Sequence, residues 1–292
     1  MAIVWIVTTG NSDIQLKSIP DKWLDLCKEK KSDLKPCLED FRSKEGTSKQ
    51  KTGLYTVVAR LLGVIFSDKI DEYRNYFKFY LLDGFCKTIN EKSIKPDRII
   101  VLLTDQEAIF DISDRGVDKP YWKDTCTLEP ILKHYFMQVF GEKFANEKLE
   151  FSVLKPQQGA DGLDDWDATL TLVKAELARW EENKWISKGD RVIVSHQAGT
   201  PAISSAVQLT CLIHFGKKVE FLVSSELPPN KTKFLKGSSY FETLQFKKLE
   251  DLLDRHDYSG MTSIVEEINF ESDEIKFRLL HLLDLSGNKS KV

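Results

Sequence analysis

The chain has 292 residues, 41% of them hydrophobic and 30% charged, with a net charge of −3 and a pI near 6.0. That balance fits a globular protein with a core of its own and excludes a globally basic face for duplex nucleic acid or anionic lipid, so any polyanion must be held in a local pocket. The five scattered cysteines form no Cys-x-x-Cys pair, no basic leader precedes the first apolar run, and no apolar run approaches the roughly 18 residues that span a bilayer. A reduced, cytoplasmic protein with no metal site and no membrane partner is expected.

Residues 3–8 form a first strand, apolar on both faces as a central parallel strand is. It runs into the polar loop Thr9-Gly10-Asn11-Ser12-Asp13. Residues 20–52 are rich in charge and read as a helix near 21–30 followed by solvated, insertion-like chain. The apolar run 53–66 fits a strand or a buried helix equally. Aromatics at helical spacing predict an amphipathic helix over 69–91, and Lys95-Pro96-Asp97 introduces a second strand, 98–104, ending in Asp105-Gln106. A helix over 125–140 and a third strand over 149–154 follow; the strand ends in Lys155, with Gln158 in the loop beyond.

Asp164 or Asp165 caps the next helix, in which Trp166, Leu170, Val173, Leu177 and Trp180 follow at helical spacing. Arg191–Val194 is a fourth strand, opening on Ser195-His196-Gln197-Ala198-Gly199-Thr200-Pro201. In this turn Gly199 suits a positive φ, Thr200 an N-cap and Pro201 the first helical position. The free amides at such a helix start attract anions, although a tight turn that binds nothing has the same sequence signature. A helix over 201–215, a fifth strand over 218–223, a loop over 224–239 and a sixth, edge strand over 240–246 complete the pattern. Residues 247–292 read as short helices with a break at His256–Gly260 and a polar tail at 286–291.

Strands alternating with helices predict an α/β fold: a Rossmann-like parallel six-stranded sheet, order 3-2-1-4-5-6, with helices on both faces and a small C-terminal helical segment. The expected division is a ligand-sensing domain over 1–246 and a helical linker, or the start of an effector domain, over 247–292. In this order the first and fourth strands are neighbours, and the crevice between them is where ligands bind. The loops Thr8–Asp13 and Ser195–Thr200 should therefore face each other.

Several chemistries lack their motifs: there is no Gly-x-Gly-x-x-Gly, no P-loop, no His-Glu-x-x-His and no Gly-x-Ser-x-Gly. The titratable group that stands out is His196, with Lys155, Asp105 and Gln158 at strand ends on the same rim. A lysine there supplies a point charge for phosphate.

Thr-Gly-Asn-Ser-Asp-Ile-Gln after the first strand, Thr-Asp-Gln after the second and Gly-Thr-Pro-Ala after the fourth resemble the CARF (CRISPR-associated Rossmann fold) family. The chain also looks like the Csm-six/Csx-one-type ancillary proteins of type III CRISPR systems, with Leu253–Gly260 similar to their linker motif. The resemblance covers about residues 1–246. It implies a homodimer whose two crevices join around a cyclic oligoadenylate, four adenosines being the commoner ring. Thr8, Thr9, Gly10, Asn11, Ser12, Asp105, Gln106, Gln158 and Ser195 to Pro201 would line the site, and no cofactor is called for. Some relatives open their ligand without metal, through attack of a 2′-OH that leaves a 2′,3′-cyclic phosphate; Asn11, Ser12, His196 and Lys155 are the candidates for that role. The alternatives are a binding module without chemistry and an unrelated small-molecule enzyme. The family's nuclease effector carries Arg-x4–6-His on a helix. Here the only match, Arg191 to His196, lies on a strand and its loop, and Arg278-x-x-His281 has the wrong spacing, so any nuclease effector is expected to be absent from this chain.

Overall fold

The first strand, β1 (Ile3–Thr8), is buried from Val4 onward because alternate side chains enter two separate cores. Trp5 and Val7 join a cluster on one face of the sheet; Val4 and Ile6 join another on the opposite face. Each such aliphatic side chain removed from water contributes roughly 1.5–3 kcal/mol. The computed structural model describes residues 1–30, 47–49, 53–115, 119–225, 231–267, 276 and 279–283. Most of the charged stretch assigned to solvated chain within 20–52, Ile268, Ile275 and Phe277 of the expected terminal helices, and the tail 286–291 lie outside the described residues.

After β1 the chain builds a small antiparallel sheet from β2 (Ile14–Leu16), β3 (Thr47–Lys49), β4 (Tyr55–Val57) and β5 (Phe77–Phe79), in the order β3-β4-β2-β5. The run 53–66 is thus both of its candidates in turn: strand β4, then helix Ala59–Phe66. The single helix expected over 69–91 is interrupted. Helix Ile70–Tyr73 and a 3₁₀ turn give way to β5, and helix Tyr80–Glu91 follows. Phe77 and Phe79 alternate with Lys78 and pair with β2, so a tertiary partner overrides the helical spacing.

The large sheet holds β1, β6 (Arg98–Thr104), β7 (Leu149–Leu154), β8 (Arg191–Ser195), β9 (Val219–Ser224) and β10 (Thr232–Lys236). Its order is β10-β9-β8-β1-β6-β7, which is 3-2-1-4-5-6 when only these six strands are numbered along the chain. The first five are parallel. Helices Ala59–Phe66, Tyr80–Glu91 and Glu129–Phe140 cover the Trp5 face; the crossover helix Trp166–Glu182 and helix Pro201–Phe215 cover the other. The crossover helix is anchored to β7 by Trp180 Nε1, which donates to Ser152 Oγ at 2.8 Å. Asp165, not Asp164, caps it, accepting from Ala168 N at 2.8 Å.

The sixth strand differs from expectation. It is β10, inside the segment read as a loop, and it runs antiparallel to β9; residues 240–246 belong instead to helix Gly237–Asp254. No glycine or proline interrupts the sequence between 238 and 259, so a helix started at Gly237 propagates through the aromatic run. Gly237 itself is required by a close approach: a Cβ there would lie 2.4 Å from Val219 O. Helices Gly237–Asp254 and Tyr258–Glu267 pack through Leu249, Met261, Ile264 and Val265 into a third, smaller cluster. The break between them is Arg255–Asp257, with His256 at φ 58°. Among the described residues, no helix is long and apolar enough to cross a membrane.

Candidate functional site

Because β1 and β8 are neighbours in parallel register, with Val7 beside Ser195, the loops leaving their C-terminal ends meet. Two bonds fix the junction: Trp5 Nε1 donates to Ser195 Oγ at 3.0 Å, and Thr8 Oγ1 donates to the Ser195 carbonyl at 3.3 Å. Beyond it Gly10 lies directly against Gly199, so close that a Cβ on Gly10 would come within 2.6 Å of Gly199 N. Gly199 takes φ 95°, Thr200 Oγ1 accepts from Ile203 N at 3.2 Å, and Pro201 opens the helix, as the sequence predicts. The two helix systems leave on opposite faces, so this is the switch point of the sheet.

The β1 loop is held from within. Gly10 N donates to Asp13 Oδ2 at 2.8 Å, and Asp13 N returns a bond to Gly10 O at 3.2 Å. Asp13 is buried, and burial pushes its carboxyl up to about 7, against the opposing effect of the Gly10 bond. Asn11 Oδ1 accepts from Ala59 N at 2.8 Å, satisfying a free amide at the start of helix Ala59–Phe66. Thr9 Oγ1 bonds Leu102 O at 2.8 Å and Thr125 Oγ1 at 2.9 Å, which ties the loop to β6 and to the segment before helix Glu129–Phe140.

That segment carries a buried polar lattice. Asp124 accepts from Gln106 N at 2.8 Å and from Gln106 Nε2 at 3.0 Å, and Gln106 Oε1 accepts from Leu163 N at 2.9 Å. Arg60 bridges Asp105 at 2.8 Å and Asp124 at 3.1 Å, donates to Tyr121 O, and stacks 4.0 Å from the Tyr121 ring centre. Burial raises the Asp124 carboxyl despite the Gln106 bonds and the guanidinium beside it. At Asp105 burial acts in the same direction, but the Arg60 bond and charge outweigh it and leave the carboxyl lowered.

Together these elements enclose a cleft of about 280 Å³ at the C-terminal edge of the sheet. Thr9, Gly10 and Asn11 form one wall and Gly199, Thr200 and Ile203 the facing one. Thr104, Gln106, Asp124 and Thr125 lie between them, and Pro120, Lys123, Leu163 and Asp164 complete the rim.

The structure brings six of the expected binding residues to this cleft: Thr9, Gly10, Asn11, Gln106, Gly199 and Thr200. The others do not line it. Thr8 and Ser195 join the strands. Ser12, Gln158 and Pro201 are exposed and Ala198 is buried. Asp105 is engaged by Arg60, and Lys155 Nζ stands 3.6 Å from the same carboxylate. Gln197 pairs with the Ser224 backbone through both ends of its amide. His196 Nδ1 is 2.9 Å from Ser204 Oγ, its ring stands edge-on to Phe221, and burial lowers its imidazole. The sequence reading did not assign Thr104, Pro120, Lys123, Asp124, Thr125, Leu163, Asp164 or Ile203 to the site. One signal was available: the connection from Asp105 to Leu128 is far longer than the usual few residues, and such loops are commonly functional.

No protein-family model matches the chain, and no curated protein matches it. Among solved structures it is similar to Enterococcus italicus Csm6 bound to cyclic hexa-2′-fluoro-hexa-dAMP, with 12% sequence identity and a TM-score of 0.49 over 99% of this chain and 55% of that one. The chain thus spans about half the length of that protein.

Proposed function

We propose that the chain is a CARF-type sensor of a cyclic oligoadenylate, acting in type III CRISPR defence in the cytoplasm. The observation that carries this reading is the closure of Gly10 on Gly199, which turns two strand ends into one cleft at the switch point. The motif resemblance at the three strand ends supports the choice of ligand, and cyclic tetra-adenylate is the first ring to try. The cleft is at the small end of ligand pockets, about 300–1,000 Å³, so one chain takes part of a ring and a two-fold pair would hold the rest. For that homodimer the described surface offers an apolar groove lined by Trp166, Leu209 and Leu244, all exposed. Helices Gly237–Asp254 and Tyr258–Glu267, which follow the sheet, would be the route from the sensor to an effector.

Of the four residues considered for ligand opening, Asn11 alone lines the cleft, which favours binding without chemistry. The alternative, a ring nuclease, requires a 2′-OH held in line with the scissile phosphate. Purified protein incubated with cyclic tetra- or hexa-adenylate decides between them, with affinity measured by calorimetry and products separated by chromatography. Saturable binding of an intact ring is expected. A linear product ending in a 2′,3′-cyclic phosphate would assign cleavage, and no binding of either ring would overturn the proposal.

A further inference from the structure

The charges around the cleft are unevenly committed. Arg60 is neutralised by Asp105 and Asp124, and Asp124 also accepts both Gln106 donors. Lys155 is drawn to Asp105 and does not line the cleft. Two charged residues on the rim remain, Lys123 and Asp164. Both are exposed, and neither side chain makes a hydrogen bond or an ion pair among the described residues. An unpaired cation and an unpaired carboxylate on the rim of one small cleft suit a ligand that carries both an anionic group and hydrogen-bond donors.

We propose that Lys123 and Asp164 are the two charged contacts of a nucleotide unit: Lys123 holds its phosphate, and Asp164 accepts from a sugar hydroxyl or a base amino group. The assignment deepens the sensor reading and rests on it for the ring, but the cleft-level claim extends to any single nucleotide. The Lys123 ammonium needs no fixed geometry to pair with a phosphate. Asp164 disfavours a bare phosphate by like-charge repulsion and accepts the donors that a nucleotide adds, so the pair distinguishes a nucleotide from inorganic phosphate.

The test compares wild type with Lys123→Gln, Lys123→Arg and Asp164→Ala, using cyclic tetra-adenylate and adenosine 5′-monophosphate as separate probes across a salt series. Lys143→Gln, also exposed, serves as a control. Lys123→Gln is expected to weaken binding about ten-fold or more and to flatten the salt dependence by about 0.7 in log–log slope. Lys123→Arg should restore part of the affinity. Asp164→Ala should weaken both nucleotides with the salt slope unchanged. If the ring binds wild type and Lys123→Gln alike, with equal slopes, the Lys123 assignment is wrong and the sensor reading stands. If the ring does not bind but the monophosphate does so through Lys123 and Asp164, the sensor reading fails and the assignment stands. If neither probe binds, both fall.

Discussion

Gly10 and Gly199 touch backbone to backbone: a methyl group on Gly10 would lie 2.6 Å from the amide nitrogen of Gly199 and 3.3 Å from its Cα. Neither atom belongs to a flexible side chain, so the contact cannot relax locally. Gly10→Ala should therefore push the two loops apart, costing about 1–3 kcal/mol of stability and at least ten-fold in ligand affinity. Urea denaturation and calorimetry measure the two effects. Gly189→Ala is the comparison, since the nearest atom there is 3.7 Å away; its cost should stay within about 0.5 kcal/mol. Equal behaviour of the two variants would remove the close approach as the reason for Gly10.

Asp13 makes stability depend on pH. Its carboxyl titrates near 7 in the folded chain against 3.8 in an ordinary setting. Between these values the folded protein keeps a proton that the unfolded chain has lost, so the group's stabilising contribution is fully present below about pH 4 and disappears as the pH rises through 7. Asp13→Asn stays neutral and keeps an oxygen for Gly10 N. It should be more stable than wild type by a few kcal/mol (about 2–4) at pH 8, with the difference shrinking toward zero near pH 4. Denaturation midpoints that differ equally at both pH values would contradict this.

Arg60 joins the cleft floor to the helix that Asn11 caps. Arg60→Met leaves Asp124 buried beside Gln106 without its cation, and the expected loss is about 3–5 kcal/mol. Asp124→Asn keeps an acceptor for Gln106 N and should cost less, about 1–3 kcal/mol. The double variant should fall short of the sum by at least about 0.5 kcal/mol. Strict additivity would mean that the two groups do not act as one unit.

His196 is expected to matter for packing and not for the ligand. His196→Ala should lower stability by about 1–2 kcal/mol, from the lost Ser204 bond and Phe221 contact, and leave affinity for cyclic tetra-adenylate within two-fold. A loss beyond ten-fold would return the imidazole to the site.

The parity of β8 was enough to place that histidine. Ile193 enters the Trp5 core and Val194 the opposite one; Ser195 then faces Trp5, and His196 falls on the Phe221 side. The strand order and the Gly199-Thr200-Pro201 turn were legible because each depends on local backbone rules. Strand β10 was hidden because a short edge strand with lysines at Lys233 and Lys236 carries the same polar signature as a loop. Lys123 was hidden for another reason. It stands on a four-residue helix without periodicity, and only the tertiary meeting of β1, β6 and β8 gives it a neighbourhood.

Asn11 serves two masters. Its carbonyl oxygen accepts from the first amide of helix Ala59–Phe66, while its amide nitrogen has no hydrogen-bond partner among the described residues, and the residue lines the cleft. Any guest that rotates this carboxamide must loosen the first turn of that helix, and strand β4 (Tyr55–Val57) lies immediately upstream. Occupancy at one edge of the large sheet would thereby reach the small sheet through this side chain, in addition to the backbone that runs from Asp13 straight into β2 (Ile14–Leu16).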